Sequence, residues 1–294
     1  MDKNILDKHI EAGKIVSECL KYGAGMIKPG ASILEVLDKV EAKIMEMGGY
    51  PAFPAQISIN NVAAHACPGP ESTEACKEGD MIKLDIGVHI DGYIADSAVT
   101  VDLGDNKELV NASREALAAA LKLVAPGVKV SELGAAIQEV IESYGFAPIR
   151  NLSGHGLNRF VVHDAPQVPN FNTGSDIKLE EDQVIAVEPF ASTGAGIIYE
   201  SSNPTLFNMS IEKPVRNMMA RKLLKDIKEY KGLPFTTRWL TKKHSLGVVK
   251  LGLRELIQNN ILNEYPPLID KEDGIVSQAE HTVIVRDKPI ITTK

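Results

Sequence analysis

Two aspartates in one predicted hairpin carry the strongest chemical signal in this sequence. Residues 81–101 read MIKLDIGVHIDGYIADSAVTV, two apolar runs that meet at an Asp-Gly pair. Asp-Gly between alternating apolar residues predicts a two-residue β-turn. Such a turn places Asp96 opposite Gly87, two residues after Asp85. The two carboxylates then become diagonal neighbours on one face, roughly 7–8 Å apart at the backbone.

Two acids on an otherwise apolar face need a positive partner, because an unpaired buried carboxylate is unfavourable. A pair of divalent cations, about 3.5–4 Å apart, would supply that partner and could activate a water molecule. There are two simpler alternatives. One aspartate could face water, or both could pair with lysine or arginine.

Three further polar residues interrupt apolar, strand-like runs. His155 lies in the motif SGHG, Glu188 in AVEPF, and Glu280 in AEHTVIV within a predicted final strand over 278–285. The glycines on both sides of His155 permit close approach of another backbone. With the two aspartates, the set contains four carboxylates and one imidazole, which suit divalent Mn, Fe, Co or Zn. Because a carboxylate can bridge two ions, these five side chains can hold two metals. Any one of the five taken alone would be interpreted as a salt-bridged or solvated residue.

The elements that must position these residues repeat along the chain. Helical apolar spacing over residues 5–27 is followed by a Pro-Gly pair and a second helix that ends at Gly-Gly. The Pro-Gly pair, a glutamate, a glycine and a proline recur at an offset of 97 residues, and HACP at His65 recurs as HDAP at His163. This spacing predicts two similar halves, with His65 and His163 on opposite sides of one central cleft.

Residues 201–264 interrupt the repeat and differ from it in charge. The stretch 213–254 carries 12 basic and 2 acidic residues, leaving 20 basic and 37 acidic residues elsewhere. We interpret 201–264 as a basic helical insertion, with a helix over 218–230, two further helices and a hinge near Gly252. Its basic charge could contact nucleic acid or the ribosome, whereas the simpler interpretation is a solvated helical face. The core resumes at Tyr265.

Composition and charge limit the class of protein. The 294 residues are 44% hydrophobic and 24% charged, which is typical of a soluble globular chain with an ample core. No apolar run approaches the roughly 18–20 residues that span a bilayer, and the charged N-terminus differs from a signal peptide. Three cysteines without a CxxC spacing favour a reducing cytosol. The net charge of −7 argues against nucleic acid as the main target.

The motifs KLDIG, IADSAVTV, SGHG, AVEPF and AEHTVIV, in this order, resemble the metal-ligand motifs of the methionine aminopeptidase family. The insertion before Tyr265 resembles the one that separates type II enzymes from type I, and the short N-terminus is most similar to archaeal members. This resemblance implies an α+β, pseudo-twofold pita-bread fold with an antiparallel sheet and outer helices. Residues 1–200 and 265–294 would form the catalytic domain, and 201–264 a helical insertion subdomain.

The resemblance also implies a function, the removal of the initiator methionine when the second residue is small, with two divalent ions. On that pattern the metal ligands are Asp85, Asp96, His155, Glu188 and Glu280. His65 matches the histidine that contacts substrate and reacts with epoxide inhibitors, and His163 matches the one beside the scissile carbonyl. Glu188 would also move the proton of the attacking water. Phe53 and Tyr265 align with positions near the methionine pocket.

The partners expected from this resemblance are nascent polypeptide N-termini, with the ribosome close by. We expect a cytoplasmic monomer with no membrane partner and no specific nucleic acid partner. Three other interpretations remain. A prolidase or aminopeptidase P-like Xaa-Pro peptidase uses the same ligand types, although such enzymes usually carry an additional N-terminal domain, for which this chain has no room. A non-enzymatic binding relative would have lost ligands. Finally, the basic insertion could make the chain chiefly an RNA- or ribosome-binding factor.

Overall fold

Helices and short strands alternate along the chain, as the mixed periodicity predicts. The computed structural model describes residues 1–294. The α-helices are α1 Lys3–Met26, α2 Ile33–Glu46, α3 Lys107–Leu121, α4 Val130–Ser143, α5 Met218–Ile227, α6 Thr237–Thr241 and α7 Leu246–Gln258. A 3₁₀ turn, Lys228–Tyr230, continues α5. No helix combines the length and the apolar character that crossing a bilayer requires.

All strand pairs are antiparallel, and they form five small sheets. The strands are β1 Tyr50–Pro51, β2 Gln56–Ile59, β3 Val62–Ala64, β4 Met81–Ile90, β5 Tyr93–Asp102, β6 Ala147–Pro148, β7 Ser153–Asn158, β8 Val161–Pro169, β9 Val184–Val187, β10 Phe190–Ser192, β11 Ile198–Glu200, β12 Leu206–Met209, β13 Phe235–Thr236, β14 Leu262–Tyr265, β15 Leu268–Asp270, β16 Val276–Gln278, β17 His281–Ile284 and β18 Ile290–Ile291.

The hairpin of β4 and β5 forms as the Asp-Gly pair predicts. Both turn residues have positive φ, 51° at Asp91 and 86° at Gly92, which is the combination that a type I′ turn requires. The register pairs Gly87 with Asp96. The predicted placement of Asp85 and Asp96 on one face is therefore confirmed. Strands β1 and β2 also pair with β4 and complete a four-stranded sheet.

The predicted repeat is visible in the helices. Helices α2 and α4 are offset by 97 residues at both ends, and the equivalent glycines Gly30 and Gly127 both have φ of 85°. Apolar residues of α1 and α2 pack on β2 and β4, while those of α3 and α4 pack on β9, β10 and β17. Because helices cover the outer faces of these three sheets, polar residues such as Asp85 on β4 face the centre.

Strands β5 and β17 join the two halves through side chains. Thr282 Oγ1 accepts the Asp96 N–H at 2.7 Å and donates to the Asp96 carbonyl oxygen at 2.8 Å. Ser97 Oγ donates to the Glu280 carbonyl oxygen at 2.5 Å. These hydrogen bonds bring Asp96 of the first half next to Glu280 of the second.

The predicted continuous strand over 278–285 is wrong at its start. Strand β16 ends at Gln278 and pairs with β10, whereas β17 begins at His281 and pairs with β9. The chain passes from one sheet to another between them. Glu280 occupies this break, where its side chain is buried at 2% exposure.

Segment 201–264 has an apolar cluster of its own, built from α5, α7 and neighbouring strands. Helices form where they were predicted, but β12, β13 and β14 also pair into a three-stranded sheet. The helical insertion therefore also contains a small sheet that the sequence did not predict. These strands have two to four residues, and such short strands leave little visible alternation in a sequence.

The predicted hinge near Gly252 is also wrong. Helix α7 runs without a break from Leu246 to Gln258. A Cβ added at Gly252 would lie 2.5 Å from Leu223 Cδ1. Glycine is required here because α7 packs closely on α5, not because the helix bends.

Candidate metal centre

One cavity of about 640 Å³ between the two halves is lined by every site residue predicted from the sequence. Each of these side chains comes from a different strand or strand end. They are Phe53, His65, Asp85, Asp96, His155, His163, Glu188, Tyr265 and Glu280. Residues far apart along the chain therefore share one cavity.

Acids and one imidazole crowd the floor of this cavity. One ligand atom each of Asp96, His155 and Glu280 lies within 4.8 Å of the others. His155 Nε2 lies 3.8 Å from Asp96 Oδ2 and 3.5 Å from Glu188 Oε1. None of the four predicted acids, Asp85 included, forms an ion pair with lysine or arginine. The alternative in which basic side chains neutralise the aspartates is therefore wrong.

Two of these acids also have oxygens without any partner. Asp85 Oδ1 and Asp96 Oδ1 are buried and accept no hydrogen bond. Asp85 as a whole is half-buried, whereas Asp96 is 3% exposed. A buried acceptor left unpaired costs about 1–3 kcal/mol. Oxygen donors without protein partners, beside one imidazole, fit the ligand preference of borderline divalent ions.

The pKa values of the four acids and of His155 are shifted by this close, buried arrangement. Burial raises the pKa of Asp85 to about 7. Burial and then the charges of neighbouring acids raise the pKa values of Asp96, Glu188 and Glu280 well above their usual range. Burial lowers the pKa of His155 to about 3, which leaves the neutral imidazole that binds metals. Cations among these acids would favour their ionised forms.

Two glycines bring His155 into the group. A Cβ at Gly154 would lie 2.2 Å from the Ala186 carbonyl oxygen, and one at Gly156 would lie 2.0 Å from the Ala165 carbonyl oxygen. The predicted close backbone approach around His155 is therefore confirmed. Strand β7 fits between β8 and β9 only because both flanking side chains are absent.

Two more histidines and a tyrosine surround the acids. The ring centroids of His65 and His163 are 6.5 Å apart, and the Tyr265 ring lies 5.6 Å from the first and 6.1 Å from the second. His65 has φ of 63°, an uncommon backbone conformation for a residue with a side chain. Burial lowers the pKa of His65 to about 4 and also lowers that of His163. Both rings are therefore neutral hydrogen-bonding groups at pH 7.

Phe53 forms an apolar wall beside the acids. A Cβ added at Gly87 would lie 2.2 Å from Phe53 Cε1, so the ring packs directly over the glycine that separates Asp85 from the turn. Phe53 is 5% exposed. The cavity thus combines a polar floor with an aromatic side.

Gln278 is a further polar residue beside the acids that was not predicted as a site residue. Its Nε2 makes long contacts to Glu188 Oε2 at 3.4 Å and to Glu280 Oε2 at 3.5 Å. Thr100 Oγ1 donates to the Gln278 carbonyl oxygen at 2.6 Å and accepts its N–H at 2.8 Å, which fixes the backbone there. The only sequence signal was its position two residues before Glu280.

Comparison with known proteins agrees with this geometry. The chain matches the model of metallopeptidase family M24 over residues 7–235. It is 49% identical over 296 residues to a methionine aminopeptidase of Archaeoglobus fulgidus, covering 100% of both chains. A solved methionine aminopeptidase from Thermotoga maritima has a TM-score of 0.74 at 25% identity, covering 100% of this chain and 98% of that one. A thermophilic Arx1 structure has a TM-score of 0.86 at 17% identity, covering 99% and 91%.

The chain belongs to metallopeptidase family M24. The predicted α+β pita-bread fold is confirmed by the two helix-covered halves and by these structural neighbours. The family, together with the candidate cluster of Asp96, His155 and Glu280, supports the use of a divalent metal. The chain is a metal-dependent hydrolase, and the relatives that match its full length are methionine aminopeptidases.

Proposed function

We propose that the cavity uses two divalent ions, drawn from Co, Mn, Fe and Zn, to hydrolyse the first peptide bond of a polypeptide. The chain is a metal-dependent aminopeptidase that removes the N-terminal methionine from nascent proteins when the second residue is small. The observation that carries this function is the convergence of four acids and one imidazole beside an aromatic wall, with no basic partner. The proposed ligands are Asp85, Asp96, His155, Glu188 and Glu280.

This ligand set fits two dications in charge and in donor type. Four ionised carboxylates balance four positive charges, and the unpaired oxygens of Asp85 and Asp96 point to donors that the protein itself does not use. When bound, the ions lower the pKa of a water molecule and polarise the scissile carbonyl. A free α-amine, which only a chain terminus carries, would supply a further nitrogen donor beside this ligand set.

The remaining chemistry belongs to side chains. His163 donates a hydrogen bond to the carbonyl oxygen on which negative charge develops. The Glu188 carboxylate accepts a proton from the attacking water and delivers it to the departing amine. His65 holds the scissile peptide from the other side. Because burial keeps both imidazoles neutral, they can orient substrate without repelling the ions.

Substrate selection follows from the aromatic side of the cavity. We assign Phe53 to the wall of the methionine pocket, because a thioether packs favourably on an aromatic ring. We also assign Tyr265, whose ring centroid lies 5.6 Å from that of His65, to substrate binding.

The substrates in this proposal are nascent N-termini in the cytoplasm, processed by a monomer. Residues 1–200 and 265–294 form the catalytic domain and 201–264 the insertion. Exposed basic side chains on α5 include Arg221, Lys222 and Lys225, none of which is in an ion pair. They suit an anionic neighbour such as the ribosome, where these substrates emerge.

The test is release of methionine from Met-Ala-Ser, measured after chelation and then after stepwise addition of Co²⁺ or Mn²⁺. We expect no release after chelation and recovery that saturates near two equivalents of metal. Xaa-Pro peptides serve as the comparison substrates and should be cleaved much more slowly. Faster cleavage of Xaa-Pro would identify a prolidase-like enzyme instead. RNA binding that survives chelation, without any peptide cleavage, would contradict the enzymatic function.

A further inference from the structure

A buried ion pair joins the insertion to the catalytic core beside the cavity. Arg238 on α6 is 2% exposed, and Glu41 on α2 is 3% exposed. Arg238 Nη1 donates to Glu41 Oε2 at 2.7 Å, and Nη2 donates to Glu41 Oε1. The same Nη1 also donates to Asp38 Oδ1 at 3.0 Å. Bidentate pairing of this kind fixes direction as well as distance.

The Glu41 carboxylate also holds backbone that leads into the cavity. The Ala55 N–H donates to Glu41 Oε1 at 3.1 Å, and Trp239 Nε1 donates to Oε2 at 2.8 Å. Ala55 lies two residues after Phe53 and directly before Gln56, and both of these line the cavity. One carboxylate therefore connects α2, α6 and the segment that presents Phe53.

The same end of the insertion packs on the segment that follows His65. Thr236, which precedes α6, has its Oγ1 3.6 Å from Cys67 Sγ, and that sulfur lies 3.7 Å from the Ala55 carbonyl oxygen. Thr205 Oγ1 donates to the Cys67 carbonyl oxygen at 2.5 Å. The insertion thus supports two of the segments that carry cavity residues.

We propose that Glu41 and Arg238 are positioning residues, through which the insertion sets the place of Phe53 and hence the affinity for the methionine side chain. This proposal rests on the proposed function, because it takes Phe53 as a wall of the methionine pocket. Neither charged residue lines the cavity, so their influence passes through residues 53–56. Replacing both members of a buried ion pair with apolar residues of similar size is often neutral for stability. A change in affinity for the methionine side chain can therefore be separated from a change in stability.

The test removes the Ala55 acceptor without leaving a buried charge unpaired. Combining Glu41→Met with Arg238→Met removes both charges and the oxygen that holds Ala55. The matched variant, Glu41→Gln with Arg238→Met, removes the same charges but keeps an amide oxygen for Ala55. For Met-Ala-Ser we expect KM to rise on the order of 10-fold in the first variant, with kcat within about twofold, and to remain near wild type in the second.

Lys242→Ala is the surface control. Its ion pair with Asp38 lies at the same interface but is exposed, with side chains at 60% and 43% exposure, and exposed pairs contribute little. We expect KM, kcat and the exchange rate of the Ala55 amide hydrogen all to be unchanged in this variant. A KM rise here equal to that of the Met–Met variant would overturn the specific role of Glu41.

Two readouts do not depend on turnover. Hydrogen exchange at the Ala55 amide should accelerate about 10-fold or more in the Met–Met variant. Fluorescence of Trp239, the single tryptophan of the chain, should shift as its contact to Glu41 disappears. Metal content should stay at the wild-type level.

Faster Ala55 exchange with unchanged KM would overturn the link between the ion pair and the pocket. An equal KM rise in both double variants would overturn it too, since only one of them lacks the acceptor. Unchanged Ala55 exchange would overturn the positioning itself. Absence of methionine release by the wild-type protein would instead overturn the proposed function, and the exchange measurement would still test the positioning.

Discussion

Two regions of this protein bury carboxylates, but the two regions differ in the hydrogen-bond donors that they offer to them. In the cavity, Asp96 and Glu280 are 3% and 2% exposed and have no basic partner. Outside the cavity, Asp270 at the end of β15 is 0% exposed and accepts a hydrogen bond from Ser192 Oγ at 2.8 Å. Its backbone donors are the N–H groups of Ala195, Gly196, Glu272 and Gly274. Burial is the same in both regions, but the supply of donors differs.

The pKa shifts separate the two regions. Burial by itself raises the pKa of Asp270, but the hydrogen bonds that its carboxylate accepts outweigh burial and lower the pKa overall. In the cavity, burial and then neighbouring acids raise the pKa values of Asp96 and Glu280. A buried acid alone therefore does not indicate a metal site. Buried acids that lack a lysine or arginine partner, and whose charges raise one another's pKa values, favour one.

The largest effect is expected from neutralising one cavity acid. Glu280→Gln or Asp96→Asn should reduce methionine release below detection, because a charged ligand is lost. In the presence of a chelator, the same substitutions should raise the free energy of unfolding, because they remove first the cost of burying the carboxyl group and then its repulsion with neighbouring acids. Peptide assays and urea titration with chelator measure the two effects. Turnover at the wild-type level in both variants would defeat the ligand assignment.

A smaller effect is expected at His65, whose Nδ1 is also buried without a partner. His65→Ala should slow turnover on the order of 10²-fold through loss of a hydrogen bond to substrate, and it should block epoxide modification. Metal content should not change. His89→Ala, outside the cavity, is the control and should keep full activity. Undiminished epoxide labelling of the His65 variant would reject its assigned contact.

Metal binding should stabilise the cavity region specifically. At a free metal concentration about 100 times Kd, the free energy of unfolding of the wild-type protein should increase by about 2.7 kcal/mol. The increase should be smaller in Glu280→Gln. Thermal unfolding, with and without Co²⁺ or Mn²⁺, measures it. An equal gain in both proteins would place the stabilising ion elsewhere.

The smallest effect is expected at Asp270, the buried acid outside the cavity. Asp270→Asn should lower the free energy of unfolding by about 1–3 kcal/mol, because buried donors lose their acceptor. Activity per folded molecule should remain unchanged. The sign is opposite to that expected for Glu280→Gln in chelator, measured by the same urea titration. A stabilised Asp270→Asn protein would remove the distinction between the two regions.

Local sequence patterns were sufficient to predict much of the fold. Alternation and an Asp-Gly pair determined the register that places Asp85 and Asp96 on one face, because a tight turn leaves few pairings. The 97-residue offset anticipated the two halves. Polar residues that interrupt apolar runs supplied the other three candidate ligands, and the repeat placed both histidines at one cleft. The motif resemblance then assigned their roles.

Packing between distant segments determined the features that local sequence patterns did not predict. The break that turns Glu280 inward, the contacts of Gln278 and the pairing of Glu41 with Arg238 all depend on how separate sheets and helices meet. Gly252 also depends on how segments meet. A glycine within a helix favours a hinge by sequence alone, but here it is required because α7 packs closely on α5 at this position. Periodicity reports which face of a segment is buried, but it does not report which other segment covers that face.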